Sequence, residues 1–251
     1  MLGLRPFFTY YGGKWRIAPR YPAPEHDWIV EPFAGSVGYS LRYPHRRVFL
    51  VEKNELVYRT WAYLVDVSEA EILGLPDIRV DQTVDDLAVC AEARILIGWW
   101  LNGGTAHPCK VPSKWMRSMP EMGGPGWTTG TGILAWGERV RQRIAEQLQY
   151  IRHWFVLHGS YEDAPDMSST WFVDPPYNNK AGMYYKYGSD ALNFSDLAVW
   201  CLSRRGQVIV CENCGADWLP FEPFMEAKAN LSSGHNRVTK EAIWCNFDWR
   251  K

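Results

Sequence analysis

The chain has 251 residues, 47% hydrophobic and 22% charged, a balance that fits a globular fold and excludes a disordered polymer. Its 27 Lys and Arg face 28 Asp and Glu, which excludes a uniformly basic nucleic-acid coat but not a local basic patch. No apolar run is long enough to span a bilayer, the first residues lack the layout of a secretory leader, and the six cysteines are expected as reduced thiols in a cytoplasm-like compartment.

In chain order, Trp28 to Val30 is a short apolar run that leads into Glu31-Pro32-Phe33-Ala34-Gly35-Ser36-Val37-Gly38. Val37 to Tyr43 suits a short helix, and Val48 to Val51 is a second apolar run that ends at Glu52. Strand, glycine-bearing loop, helix and strand predict a parallel βαβ unit. Asn54 is placed to cap a helix over Glu55 to Val65. Val84 to Leu101 reads as helical and stops at Asn102-Gly103-Gly104. A loop-rich stretch follows, and a helical pattern resumes from Leu134 to Ile151. Segment 102–153 holds seven basic residues (Lys110, Lys114, Arg117, Arg139, Arg141, Arg143, Arg152) against Glu121, Glu138 and Glu146, an excess of four positive charges. Strand texture returns at Trp154 to Leu157, Trp171 to Val173 and Gln207 to Cys211, with a helix expected over Ser195 to Ser203 and a final strand over Ile243 to Phe247. The expected fold class is α/β: a sheet domain of residues 1–65 and 154–251, interrupted by a mostly helical, loop-rich insertion over 66–153.

Three patterns carry chemistry. Trp171-Phe172-Val173-Asp174-Pro175-Pro176-Tyr177 is a buried strand that ends in an acid, two prolines and an aromatic. The prolines fix φ and stiffen the loop. A stiff loop holds the Asp174 carboxylate and the Pro175 carbonyl side by side, two acceptors for the two N–H bonds of an exocyclic amine, with Tyr177 as a face for a base. The plain alternative is a strand and an ordinary turn. In the second pattern the glycine loop 31–38 lets backbone approach a ligand, and Glu52, 17 residues after Gly35, is placed to accept ribose hydroxyls. Taken alone, it is equally a tight strand-to-helix turn. The third is Tyr10-Tyr11-Gly12-Gly13-Lys14, a turn with a cation for a carboxylate and an aromatic for a ring or sulfonium; its alternative is a hairpin turn with a surface lysine. Cys211-Glu212-Asn213-Cys214 has metal-like spacing, but no second such pair exists, so no metal is expected.

In set and order these motifs resemble the Dam-type DNA adenine methyltransferases that use S-adenosylmethionine. The likeness covers residues 7–65 and about 154–247 and weakens across 66–153, where that family carries its target-recognition region. It implies a Rossmann-like methyltransferase sheet and transfer of a methyl group to the N6 amine of a flipped adenine. The partner would be double-stranded DNA in the cytoplasm of a bacterium or phage-infected cell, with or without a restriction enzyme. Tyr10, Gly12, Gly13 and Lys14 would help hold the cofactor, Lys14 near its carboxylate. Glu31, Pro32, Phe33, Ala34, Gly35, Ser36 and Gly38 would wrap it, and Glu52 would accept its ribose hydroxyls. Asp174, Pro175, Pro176 and Tyr177 would hold the adenine. The family often has Trp at the place of Tyr10 and Asp at that of Glu52. Where it commonly has Asp and an aromatic for the cofactor's adenine, this chain has Ser160 and Tyr161. Lys110, Lys114 and Arg117 are the candidate DNA contacts. Methylation of cytosine N4 or of RNA, and a catalytically silent DNA-binding module, stand as alternatives; a nicotinamide-dependent oxidoreductase is more distant, because its glycine pattern is incomplete.

Overall fold

The computed structural model describes residues 3–79, 81–113, 136–230 and 236–250. Seven strands form one sheet: β1 (Trp28–Glu31), β2 (Arg47–Glu52), β3 (Phe155–His158), β4 (Ser169–Val173), β5 (Gly206–Asn213), β6 (Glu222–Asn230) and β7 (Asn236–Cys245). Their order is β3-β2-β1-β4-β5-β7-β6. The first five are parallel, β7 runs antiparallel to β5, and β6 pairs with β7 as a hairpin. The chain therefore builds outward from β1 on one side and, after β3, crosses back to lay β4 on the other. The order reverses between β1 and β4, which are paired at Ile29–Thr170 and Val30–Trp171. Ligands in open α/β sheets bind beyond the carboxyl ends of strands at such a reversal.

Parallel strands are covered on both faces, so they read as continuous apolar runs rather than alternating ones. Successive side chains still point to opposite faces. Ile29, Phe172, Ile209 and Cys211 enter one core; Val30, Trp171, Val173, Val208 and Val210 enter the other. The first core is covered by α1 (Glu55–Asp66), α2 (Glu69–Gly74), α3 (Ala91–Trp99) and α4 (Glu138–Leu148), and the second by α5 (Phe194–Leu202). Asn54 caps α1 by accepting the Leu56 N–H, and Val57, Thr60, Trp61 and Leu64 form its buried stripe.

Several expected bounds move. Val37 to Tyr43 makes only a 3₁₀ turn at Ser40–Arg42. Val84 to Leu101 divides into a capped turn at Val84–Asp86 and α3, which starts at Ala91. Leu134 lies outside the described residues, and α4 begins after Gly137. The last strand starts earlier, at Asn236, because it is the return arm of a hairpin whose first arm carries Pro223 beside a register shift. The helices of segment 66–153 do not make a separate core: Leu96, Trp99, Val140 and Ile144 pack in one cluster with Phe7, Phe8 and Trp61.

The tryptophans act as polar ties as well as bulk. Trp99 donates to Thr60 Oγ1 (3.0 Å), Trp100 to the Phe7 carbonyl (3.1 Å) and Trp136 to the Pro76 carbonyl (2.8 Å). The first two join segment 66–153 to α1 and to the start of the chain, the third ties two parts of the segment together, and each gives an indole N–H its acceptor. All six cysteines are free, and no helix among the described residues is long and apolar enough to cross a membrane.

Candidate functional site

Beyond the carboxyl end of β1 the glycine loop turns sharply. Gly35 has φ 47° and Val37 φ 54°. A β-branched residue there is strained, and such strain persists only where the surroundings hold it. They do so from two sides. The Gly35 N–H donates to Glu52 Oε2 at 2.9 Å, and the Gly35 carbonyl accepts from Trp61 Nε1 at 2.8 Å. Glu52 Oε1 takes the Asn54 N–H at 2.7 Å. Burial pushes the Glu52 carboxyl up, and the N–H groups of Asn54, Gly35 and Lys53 pull it back. Glu31, 2% exposed, accepts the Ser40 N–H at 2.8 Å; burial raises its pKa to about 8, so it is mostly protonated at neutral pH.

The Tyr-Gly-Gly-Lys segment lies across this loop. A Cβ on Gly38 would stand 2.5 Å from the Trp15 nitrogen, so only glycine allows the two backbones this approach. Lys14 then reaches into the interior. Its Nζ is 2.9 Å from Asp174 Oδ1, 3.2 Å from the Gly12 carbonyl and 4.6 Å from the centre of the Tyr177 ring. Burial works against the Lys14 charge, but Asp174 and then Glu241 outweigh it and hold the ammonium above its ordinary pKa. Burial raises Asp174, and Lys14 opposes that rise.

Two glutamates brace the loop that starts at Asp174. Tyr177 donates its hydroxyl to Glu241 Oε2 at 2.5 Å. Glu212 accepts the N–H groups of Asn178 and Asn213, both at 2.6 Å, and Trp218 Nε1 at 3.2 Å. Glu241 is 5% exposed and Glu212 fully buried, so each carboxylate finds its partners inside the protein.

These pieces surround one cavity of about 270 Å³. Tyr10, Gly12, Gly13, Lys14, every residue from Glu31 to Gly38, Glu52, Ser160, Tyr161, Asp174 and Pro176 line it. Pro175 and Tyr177, expected beside them, are not among the residues that line it. Ser160 turns its hydroxyl toward Glu162 (3.3 Å), and Tyr161 stacks on Phe33 with ring centres 5.6 Å apart. Lys14, expected near a ligand's carboxylate, has Asp174 as its partner.

The wall also contains residues that carry no motif. Lys53, Asn54, Tyr185, Tyr187, Leu192, Asn193 and Asp196 line the cavity. Most belong to the stretch after Tyr177, which has no periodicity to expose it. Asn54 was legible only as a helix cap.

Lys110 is not part of this cavity; it is ion-paired to Asp85 at 2.7 Å on the surface. Lys114 and Arg117 lie outside the described residues. Three further basic residues of the middle segment are structural. Arg141 pairs with Asp77 at 2.5 Å, Arg143 donates to the Pro6 carbonyl, and Arg152 donates to the carbonyls of Val65 and Val67. Among the described residues no group of three or more His, Cys, Asp or Glu is gathered to hold a metal ion.

No protein-family model and no curated protein matches the chain. Among solved structures, a conserved hypothetical protein of Streptococcus pyogenes aligns over 92% of this chain and 91% of its own, with 13% identity and a TM-score of 0.31. That likeness is too distant to assign a fold family or an activity to this chain.

Proposed function

We propose that the chain is an S-adenosylmethionine-dependent DNA methyltransferase that acts on the exocyclic N6 amine of an adenine turned out of the duplex. The carrying observation is that Asp174 opens into the same cavity as the glycine loop and Glu52. A group donor held by the loop and an amine held by Asp174 would share one space. The 3-2-1-4-5 strand order with its reversal at β1 and β4 supports reading the sheet as Rossmann-like. Residues 66–153, inserted between β2 and β3, are proposed to carry target recognition.

The cavity's chemistry fits the cofactor. Glu52 takes the Gly35 N–H on one oxygen and the Asn54 N–H on the other, and its remaining lone pairs are open to ribose hydroxyls. Gly35 and Gly12, both at positive φ, keep the walls free of side chains. When bound, S-adenosylmethionine supplies a methyl group already electrophilic on its sulfonium.

The chain's own task is then placement and acceptance. An adenine amine is a poor nucleophile because its lone pair is shared with the ring. Asp174 and the Pro175 carbonyl would take its two N–H bonds and draw the nitrogen toward tetrahedral geometry, which frees the lone pair. This requires Asp174 as a carboxylate, since a protonated acid offers one acceptor fewer. Lys14 favours that form, because its charge opposes the burial that raises the Asp174 pKa. Asp174 is also the acceptor for the proton the nitrogen sheds after transfer. Glu241 fixes Tyr177, and Glu212 fixes the backbone after it, so the loop is stiff before any ligand arrives.

The test is incubation of duplex DNA with methyl-labelled S-adenosylmethionine and the protein, followed by nucleoside analysis. Labelled N6-methyladenine is the expected product. N4-methylcytosine would move the reading to cytosine, and no labelled nucleoside would overturn it.

A further inference from the structure

Beside the cavity the chain turns outward in a 3₁₀ turn, Lys180–Tyr184. Met183 is 58% exposed, and Tyr184, at 73%, is the most exposed large hydrophobic side chain among the described residues. The turn beneath them is firmly held. Asn179 accepts the N–H groups of Ala181 (2.8 Å) and Gly182 (3.2 Å), and a Cβ on Gly182 would lie 2.0 Å from the Tyr177 carbonyl. The next residue, Tyr185, points back into the cavity wall and donates its hydroxyl to the Tyr11 carbonyl at 3.3 Å. Tyr184 rests edge-on against Tyr11, with ring centres 6.0 Å apart. Two adjacent apolar side chains are thus held in water on a backbone locked to the loop of Asp174.

The charged side chains in this stretch of the chain have one sign. Lys180 lies before the pair and Lys186 after it, and no acidic residue occurs from Tyr177 to Ser189. Lys53 joins from the end of β2, its Nζ 5.1 Å from the Tyr187 ring centre, with Lys186 Nζ at 5.4 Å from the same ring. Among the described residues none of these three lysines has a carboxylate within ion-pair distance, whereas Lys110 does. An apolar tip between cations without a carboxylate partner, followed directly by Tyr185 and Lys186 of the wall of a cavity that Asp174 also lines, matches nucleic acid in both its parts. Phosphates suit the lysines, and a base step suits the tip.

We propose that Met183 and Tyr184 enter the DNA stack beside the target base and fill the space it leaves, while Lys180 contacts a phosphate. This rests on the methyltransferase reading above and extends it to an element of the chain outside segment 66–153. Extruding a base from a paired duplex leaves a gap, and a side chain that fills the gap favours the extruded state. The contribution should vanish where the base has no pairing to lose.

The experiment compares single-turnover methyl transfer on two duplexes carrying a site found by methylation-aware sequencing. In one the target adenine is paired; in the other it faces an abasic position. The double variant Met183→Ala, Tyr184→Ala is expected to lose roughly tenfold or more on the paired duplex and less than about twofold on the other. Lys180→Gln is expected to lower the slope of log affinity against log salt by about one. Both variants should bind S-adenosylmethionine as the wild type does, because their side chains lie outside the cavity wall. Equal losses on the two duplexes, no loss on either, or loss of cofactor binding would overturn the role of the tip. An unchanged salt slope would overturn that of Lys180. A wild-type protein that methylates neither duplex would overturn the methyltransferase reading and this proposal together.

Discussion

Lys14 Nζ stands 2.9 Å from Asp174 Oδ1 and ties the Tyr-Gly-Gly-Lys turn near the start of the chain to the Asp-Pro-Pro-Tyr loop at the end of β4. The pair decides the protonation of the acid on which the proposed chemistry depends. Burial raises the Asp174 pKa and Lys14 lowers it. Lys14→Met removes the opposing charge, so the acid should ionise only at higher pH. The acidic limb of the rate profile should move toward higher pH. Activity should fall by about a hundredfold at neutral pH and partly recover as pH rises. A pH–rate profile of the variant against wild type checks this; a parallel drop with no displacement would count against it.

Glu31 makes stability depend on pH. Its carboxyl rises from 4.5 to about 8 because it is buried, with the Ser40 N–H pulling the other way. The raised value means the folded state holds a proton that the unfolded state releases. Stability from this group is fully present below the unfolded value and is lost as pH rises through the folded one. From about pH 6 to about pH 9 the loss should be roughly 3 kcal/mol. Glu31→Gln keeps an acceptor for Ser40 and has no charge to bury. Denaturant unfolding across that window should show a falling wild-type curve and a flatter variant curve. Identical slopes would rule the group out.

Gly38 sets the approach of two motifs. A Cβ there would meet the Trp15 nitrogen at 2.5 Å and the Lys14 carbonyl carbon at 2.9 Å, both backbone atoms. Gly38→Ala should cost about 1–3 kcal/mol, in the range of overpacked sites, and should weaken S-adenosylmethionine binding by displacing Lys14. Gly103, with nothing within 4 Å of its added Cβ, is the control, and Gly103→Ala should stay within about 0.5 kcal/mol of wild type. Thermal unfolding and calorimetry of the two variants compare the positions.

Glu241 touches the loop through Tyr177, whose hydroxyl it accepts at 2.5 Å. Glu241→Leu should lower the transfer rate about tenfold and leave the Kd for S-adenosylmethionine near wild type. Glu241→Gln, which keeps an acceptor oxygen, should recover most of that loss. Equal defects in Leu and Gln would point to a bulk structural role.

The cavity wall was more legible in the sequence than the fold around it, and the reason is local. Asp174, Glu52 and Gly35 sit where a strand meets a turn, and apolar runs next to Gly, Pro and acids mark such junctions without knowledge of the rest. Glu241 and Tyr185 gave no such signal. Glu241 reaches the site because β7 returns antiparallel to β5 and pairs Glu241 with Asn213, a register that no local pattern encodes. Tyr185 reaches it through a turn held by Asn179 and Gly182. The excess charge of segment 102–153 also misled in part. Arg141, Arg143 and Arg152 serve carbonyls and Asp77 within the protein, and Lys110 serves Asp85, so a count of charges overstated the free cations there.

The most direct test of the central claim is Asp174→Ala, measured for cofactor binding and for methyl transfer on the same preparation. S-adenosylmethionine binding should stay within a few-fold of wild type by calorimetry, because the glycine loop and Glu52 are untouched. Nearly all labelled methyl transfer to DNA should be lost, because the amine loses its carboxylate acceptor. Full methyl transfer by the variant would contradict that claim.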